Sequence, residues 1–267
     1  VAATHAGMIL FALVQGAGAW MLGRELGGRR GAWIAWSLYT VAPYILVNLY
    51  VRNHFAEYAA GALAPWALCF MIRAVRGRRS ADIMGAAGAM ALLIFTHNLT
   101  AFMINPLVVL IGTVLAVTRP PGRRLTAAGR LGLVLLFALL LSAHFWVPLV
   151  IRHGDAQLER VFSGYFEYRH HFVYPRQLFD PRWRYGASVP GPRDGMPLQL
   201  GLAHWGALAL CPALWVLRPT RRRRLVPACF FAFLALVLVF LTTTRSAPVW
   251  EIVRPLQIIH FPWLLLL

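Results

Sequence analysis

The sequence predicts an all-α polytopic membrane protein of about eight to nine transmembrane helices, a single bundle over 1–267 with one long outer loop. Three observations carry that expectation. Of 267 residues, 59% are apolar and only 13% are charged, against roughly 45–50% and about 25% in soluble domains. The apolar residues fall in runs close to the ~20 residues that a spanning helix needs. The 26 basic residues, all arginine, gather between alternate runs. This composition excludes a soluble globular chain, a disordered chain and a disulfide scaffold. A net charge of +17 would suggest nucleic acid in a soluble chain. Here the arginines flank apolar runs, so membrane lipid is the expected partner and nucleic acid is not.

The runs follow in order. The first, 6–22, is succeeded by Arg24, Arg29 and Arg30. The second, 31–50, leads through Arg52 into the third, 54–72, which ends at Arg73, Arg76, Arg78 and Arg79. The fourth and fifth, 83–98 and 100–118, meet at the turn Thr96-His97-Asn98, and Arg119, Arg123, Arg124 and Arg130 come next. The sixth, 131–150, opens into the loop 151–201. The seventh, 202–217, is followed by Arg218 and Arg221 to Arg224, then come the eighth, 225–243, and a ninth beginning near 252. Pro43, Pro65, Pro106, Pro148 and Pro212 interrupt several runs, as membrane helices tolerate. The short loops at 23–30, 73–82, 119–130 and 218–224 hold most of the arginines, which makes them cytoplasmic by the positive-inside rule and puts 151–201 outside. The chain starts at Val1 and stops within Trp263 to Leu267, and reads as a fragment cut at both ends. Cys69, Cys211 and Cys229 each lie in an apolar run without a metal-spaced neighbour and read as small buried hydrophobes.

That orientation sorts the polar residues. Glu25 and Asp82 fall inside, whereas Glu57, Asp155, Glu159, Glu167, Asp180, Asp194, Glu251 and all nine histidines fall in outer loops or outer halves of spans. Chemistry is therefore expected on the outer face. Glu57 lies within the first turns of a span, with His54 at i−3 and Asn53 at i−4. A carboxylate at such depth is costly unless partnered and is a functional hypothesis by default. Arg52 beside it suits an anion clamp, and Glu57 a base or orienting acid, while a salt bridge tying loop to helix is the structural alternative. His97 suits a proton carrier or phosphate donor, or a helix cap, since Thr96, Asn98 and Thr100 surround it. The loop interleaves arginine with aromatics, Trp183 and Tyr185 among them, which suits sugar stacking and phosphate contacts. Its aromatics are expected to pack as a lid, with helical turns near 155–168. Asp155 and Glu159 stand at i,i+4 and read as a solvated helix face. His170-His171 has no carboxylate at metal-ligand spacing. No cofactor is assigned, a divalent metal being left open, and no Walker A, GxGxxG, HExxH or GxSxG motif occurs.

Several stretches together resemble a bacterial polytopic family, the 6-pyruvoyl-tetrahydropterin synthase-related membrane domain, itself similar to GT-C glycosyltransferases and YfhO-type membrane proteins. They are Tyr50-Val51-Arg52 through Glu57-Tyr58-Ala59-Ala60 with Pro65, then Thr96 to Ala101, Gln177-Leu178, Trp183, Tyr185 to Ser188, Gln199 to Gly201 and Ile258 to Trp263. Nothing in the chain resembles the soluble pterin enzyme. The resemblance implies a membrane-embedded transferase of the bacterial inner membrane that takes sugar from a polyprenyl-phosphate donor at the outer leaflet. It also implies that the acidic first outer loop of GT-C enzymes lies upstream of Val1. On this reading Glu57 and His97 are the catalytic candidates, and Arg52, Tyr58, Asn98, Trp183 and Tyr185 the substrate-binding ones, with no metal ligand among them. The competing expectation is a non-enzymatic transporter or scaffold that holds lipid-linked glycans without transferring anything.

Overall fold

A computed structural model describes residues 2–152 and 164–267, and its chain packs as two units, Val1–Val41 with His54–Ala156 and Ala42–Asn53 with Gln157–Leu267. In unit one, α1 (Ala2–Thr40) is two helical arms joined at Gly27-Gly28. Gly28 sits at φ 64°, ψ −155°, a conformation that only glycine adopts without strain. The arms fold back on each other. Gln15 Nε2 donates to Tyr39 O at 3.2 Å, and Trp20 meets Trp33 edge to face with centroids 4.5 Å apart. At Gly23 a Cβ would lie 2.4 Å from Gly31 O, so the crossing depends on a bare backbone.

The centre of unit one is α3 (Phe55–Arg76), packed by α1, α4 (Ala81–Thr96), α5 (Asn98–Val117) and α6 (Pro121–Leu141). Its buried face is small: Ala59, Ala60, Ala62, Ala64 and Ala67 let neighbouring backbones approach, which is how helices associate where water supplies no hydrophobic drive. Pro65 removes the N–H that would bond Gly61 O. The hydroxyl of Tyr39 supplies a donor to that carbonyl at 2.7 Å. At the other end of α3, Arg76 and Arg78 bond Glu25 at 2.8 and 3.2 Å, Arg73 meets Asp82 at 3.2 Å, and Arg119 donates to Arg76 O at 2.8 Å. Three of the arginine-rich segments therefore share one end of unit one. Helix α6 begins at Pro121, ahead of the expected run, and pauses at Ser142 before α7 (Ala143–Ile151).

Unit two holds α2 (Pro43–Tyr50), the 164–201 segment, α8 (Leu202–Leu217), α9 (Arg222–Thr242) and α10 (Ala247–Ile252). The second expected span is thus divided, because the chain breaks after Thr40 and Pro43 starts a new helix. The ninth does not form a spanning helix over the described residues. Pro248, Pro255 and Pro262 cannot donate to a helical ladder, and after α10 the chain runs through 3-10 turns at Arg254–Ile258 and Pro262–Leu266. The long segment carries 3-10 turns at Gly164–Phe166, Tyr168–His171 and Gln177–Phe179. The helical turns expected near 155–163, and with them Asp155 and Glu159, lie outside the described residues. Trp250 anchors this unit: it is fully buried, stacks on Tyr168 at 5.4 Å and donates Nε1 to Leu241 O at 2.9 Å.

Among the described residues, five helical stretches are long and apolar enough to cross a membrane: Ala2–Tyr50, Phe55–Arg76, Asn98–Val117, Pro121–Leu141 and Leu225–Thr242. Ala81–Thr96 and Leu202–Leu217 are apolar but shorter. At 1.5 Å per residue, 16-residue helices reach ~24 Å against a hydrocarbon core of about 30 Å. Among the described residues the regular structure is helical, and five stretches meet the length and apolarity of a membrane span against the eight to nine expected. Leu10, Leu13, Leu136, Leu139, Leu140 and Phe233 remain exposed, as lipid-facing side chains do.

Candidate functional site

The N-terminal ends of α3 and α5 meet at the end of unit one opposite the arginine–acid cluster. Each begins with a histidine cap. His54 Nδ1 accepts from Glu57 N at 3.4 Å, and His97 Nδ1 accepts from Thr100 N at 3.2 Å. The i,i+3 spacing of a first helical turn turns Glu57 back onto His54, with Nδ1 and Oε2 3.7 Å apart. The tight turn between α4 and α5 carries His97 to the same place, its ring edge-on to that of His54 with centroids 5.1 Å apart. His54, Glu57 and His97 each offer a ligand atom, all within 4.8 Å of one another.

Glu57 is fully buried while the His54 side chain is 41% exposed, so the cluster has a dry floor and an open side. Burying a carboxylate costs several kcal/mol in real proteins. The α3 N-terminus offsets about 0.3–1 kcal/mol of that, up to ~2 where partly buried, and polar neighbours must supply the rest. Such a carboxylate between two imidazoles can take up and pass on a proton. The same three groups form a metal-ligand set, opposed by about 0.3–1 kcal/mol per unit charge from each helix N-terminus, up to ~2 where partly buried. Thr100 Oγ1, 2.7 Å from His97 Nδ1, can serve either state. It donates to Nδ1 in the capping tautomer and accepts from Nδ1–H when Nε2 is the nitrogen engaged.

Sequence reasoning paired Glu57 with His97 as catalytic candidates, and the fold brings them together. His54 was read only as a neighbour of Glu57, and its place as a third member of the cluster was missed because the α4–α5 turn is remote in sequence. Tyr58 is buried and donates its hydroxyl to Met8 O at 3.4 Å, tying α3 to α1. Asn98 is exposed, and its Oδ1 accepts from Leu99 N at 2.8 Å.

Arg52 belongs to unit two. Its guanidinium lies 4.5 Å over the Trp263 ring, donates to Tyr44 Oη at 3.1 Å and bonds Asn48 Oδ1. Both bonds leave one nitrogen, Nη1, so what lysine could not match is the planar face stacked on the indole. Trp183 is half-buried, whereas Tyr185 is 75% exposed, so the expected packed lid does not include Tyr185. Phe179 does pack, stacking on Trp205 at 4.5 Å.

The most connected polar centre of unit two was not anticipated. Ser188 Oγ lies 3.0 Å from His171 Nδ1 and 3.1 Å from Asp194 Oδ2, and Trp263 Nε1 donates to it at 3.2 Å. His171 Nε2 bonds Tyr165 O at 2.6 Å, which requires the proton on Nε2. Burial pushes the Asp194 carboxyl up, against the bonds it accepts from Met196 N, Ser188 and Val189 N. Burial pushes the His171 imidazole down, partly countered by the Tyr165 carbonyl. His171, Ser188 and Asp194 are all buried, which marks a structural clip that holds the long segment to the C-terminal turn. On the open surface nearby, bonds from Arg182 hold Asp180 at about 2.

Residues 1–261 match the family described as 6-pyruvoyl-tetrahydropterin synthase related domain; membrane protein. No curated protein and no solved structure matches the chain.

Proposed function

Because the chain belongs to the 6-pyruvoyl-tetrahydropterin synthase-related family of membrane proteins, with helices apolar enough to span a bilayer, we propose that it is an integral inner-membrane transferase. In this reading it is of GT-C type, works at the outer leaflet and takes sugar from a polyprenyl-phosphate donor. The observation that carries the reading is the fully buried Glu57 between His54 and His97 at one end of unit one. Glu57 accepts the proton of the acceptor hydroxyl as it attacks the sugar, a carboxylate role common to inverting transfer at an anomeric carbon. His97, fixed by its cap to Thr100, orients the acceptor with Asn98 beside it. The grouping of the arginine-rich segments at the opposite end supports placing the cluster on the periplasmic side, by the positive-inside rule. In unit two, Arg52, Trp183 and Tyr185 carry a separate part of the proposal, contact with a lipid-linked phosphate and sugar.

The test is turnover of a polyprenyl-phosphate hexose by the full chain in nanodiscs, wild type against Glu57→Gln. Loss of one general base is expected to slow transfer by roughly 10²–10⁴-fold with the melting temperature unchanged. Wild-type turnover in the variant would overturn the role of Glu57. Tight binding of the lipid without any turnover by the wild type would instead identify a carrier.

A further inference from the structure

We infer that His54, Glu57 and His97 hold one divalent transition-metal ion of the zinc class. The inference rests on the proposed transferase and names a cofactor for its site, with Glu57 then a ligand rather than the free base and an oxygen in the fourth position activated by the ion, but its geometry stands on unit one alone. Two imidazoles and one carboxylate form a three-ligand set that leaves a fourth position for an oxygen, as catalytic zinc sites do. Imidazole nitrogen suits zinc, copper, iron and nickel, whereas magnesium and calcium seek oxygen shells.

The geometry is close to binding distance before any ion enters. Bonds of about 2.0–2.2 Å would set tetrahedral ligand atoms roughly 3.3–3.5 Å apart. His54 Nδ1 and Glu57 Oε2 are already 3.7 Å apart, and the widest separation in the set is within 4.8 Å. Side-chain rotation alone closes that gap, because all three residues stand at the first turns of two packed helices. Glu57 is fully buried, and a cation at bonding distance favours the ionised form of a buried carboxylate. Thr100 Oγ1 supplies the outer-shell contact that metal-bound histidines usually have. At 2.7 Å from His97 Nδ1 it can accept the ring proton and turn Nε2 into the ligand. The motif is invisible to linear spacing rules: His54 and Glu57 are three apart, but the second histidine comes from another helical hairpin.

The experiment is zinc binding by the full chain in nanodiscs after chelator treatment, followed by isothermal titration, with the d–d absorption of added Co²⁺ as a coordination probe. One equivalent is expected, with a four-coordinate cobalt spectrum, and with Mg²⁺ failing to compete. Glu57→Gln and His97→Ala should abolish the tight site. Thr100→Val, which leaves every ligand in place, should weaken it roughly 10–100-fold and controls for loss of fold in the ligand variants. Binding unchanged in all three variants, or no tight equivalent in the wild type, would overturn the metal site. Turnover that depends on Glu57 but survives the chelator would sink the metal and leave the acid–base reading standing. A metal bound by these residues in a protein without turnover would do the reverse.

Discussion

Tyr39 donates its hydroxyl to the carbonyl of Gly61 at 2.7 Å, the carbonyl left without its helical donor by Pro65. The bond closes a gap in the α3 ladder from the second arm of α1, so the proline and the hairpin depend on each other. Interhelical bonds of this kind average about 0.6 kcal/mol and reach ~1.7 in a membrane protein. Tyr39→Phe should therefore destabilise the chain by about 0.6–1.7 kcal/mol. In a Pro65→Ala background, where the helix supplies its own N–H to Gly61, the same change should cost less. A double-mutant cycle on reversible unfolding in mixed micelles measures the coupling, and additive effects would show that the bond does not serve Pro65.

Gly23 is the tightest point of the α1 hairpin, with a built Cβ 2.4 Å from Gly31 O and 2.6 Å from the Ala35 Cβ. Neither neighbour is a flexible side chain, so the arms must separate to admit a methyl group. Gly23→Ala should lower stability by about 1–3 kcal/mol, the usual cost of overpacking. Gly129→Ala, where a Cβ meets nothing within 4 Å, is the matched control and should be neutral or better in the same unfolding assay.

Trp250 is fully buried against Tyr168 and Phe172. Its replacement by alanine removes the stack and leaves Leu241 O without its indole donor. A loss of about 3–5 kcal/mol is expected, seen as cooperative melting at lower temperature with early proteolysis between residues 165 and 200. Cleavage confined to other segments would contradict the anchoring role.

Acid should loosen the clip around Ser188. The folded pKa of His171 lies below its unfolded value of ~6.5. The unfolded chain therefore takes the proton first, and stability falls as pH drops below about 6.5 toward that lowered value. Asp194 works the other way: its folded pKa is raised, so its cost is present at neutral pH and is relieved as pH falls through the raised value. Hydrogen exchange over 165–172 should quicken between pH 7 and 5.5 beyond the intrinsic trend, and His171→Gln should remove that excess. An unchanged excess in the variant would assign the slope elsewhere.

Orientation is open to a labelling test. Arg123→Cys in a cysteine-free background should react only from the cytoplasmic side, and Tyr185→Cys, at a position 75% exposed, only from the periplasmic side. Reaction of the first from outside in intact cells would invert the topology and move the Glu57 cluster to the other face.

The sequence by itself determined that the chain belongs in a membrane and builds helices, since runs this apolar and this long sit in lipid, where a helix satisfies the polar backbone groups from within. It also singled out Glu57 and His97 as candidates at the same depth, because a carboxylate in a spanning run and a histidine in a tight turn are each visible locally. The turn between the first two runs was legible in hydropathy and arginine placement, but only tertiary structure put its break at Gly27-Gly28 and the close approach of the arms at Gly23. Tertiary structure decided as well that the prolines at 248, 255 and 262 turn an apolar run into short turns. It brought His54 and His97 together across two helical hairpins, and it assembled Ser188 with His171, Asp194 and Trp263. Such contacts join residues far apart along the chain, and no periodicity or spacing encodes them. They form because packing the small-residue faces of unit one and the aromatic cluster of unit two draws these remote polar side chains into reach of one another.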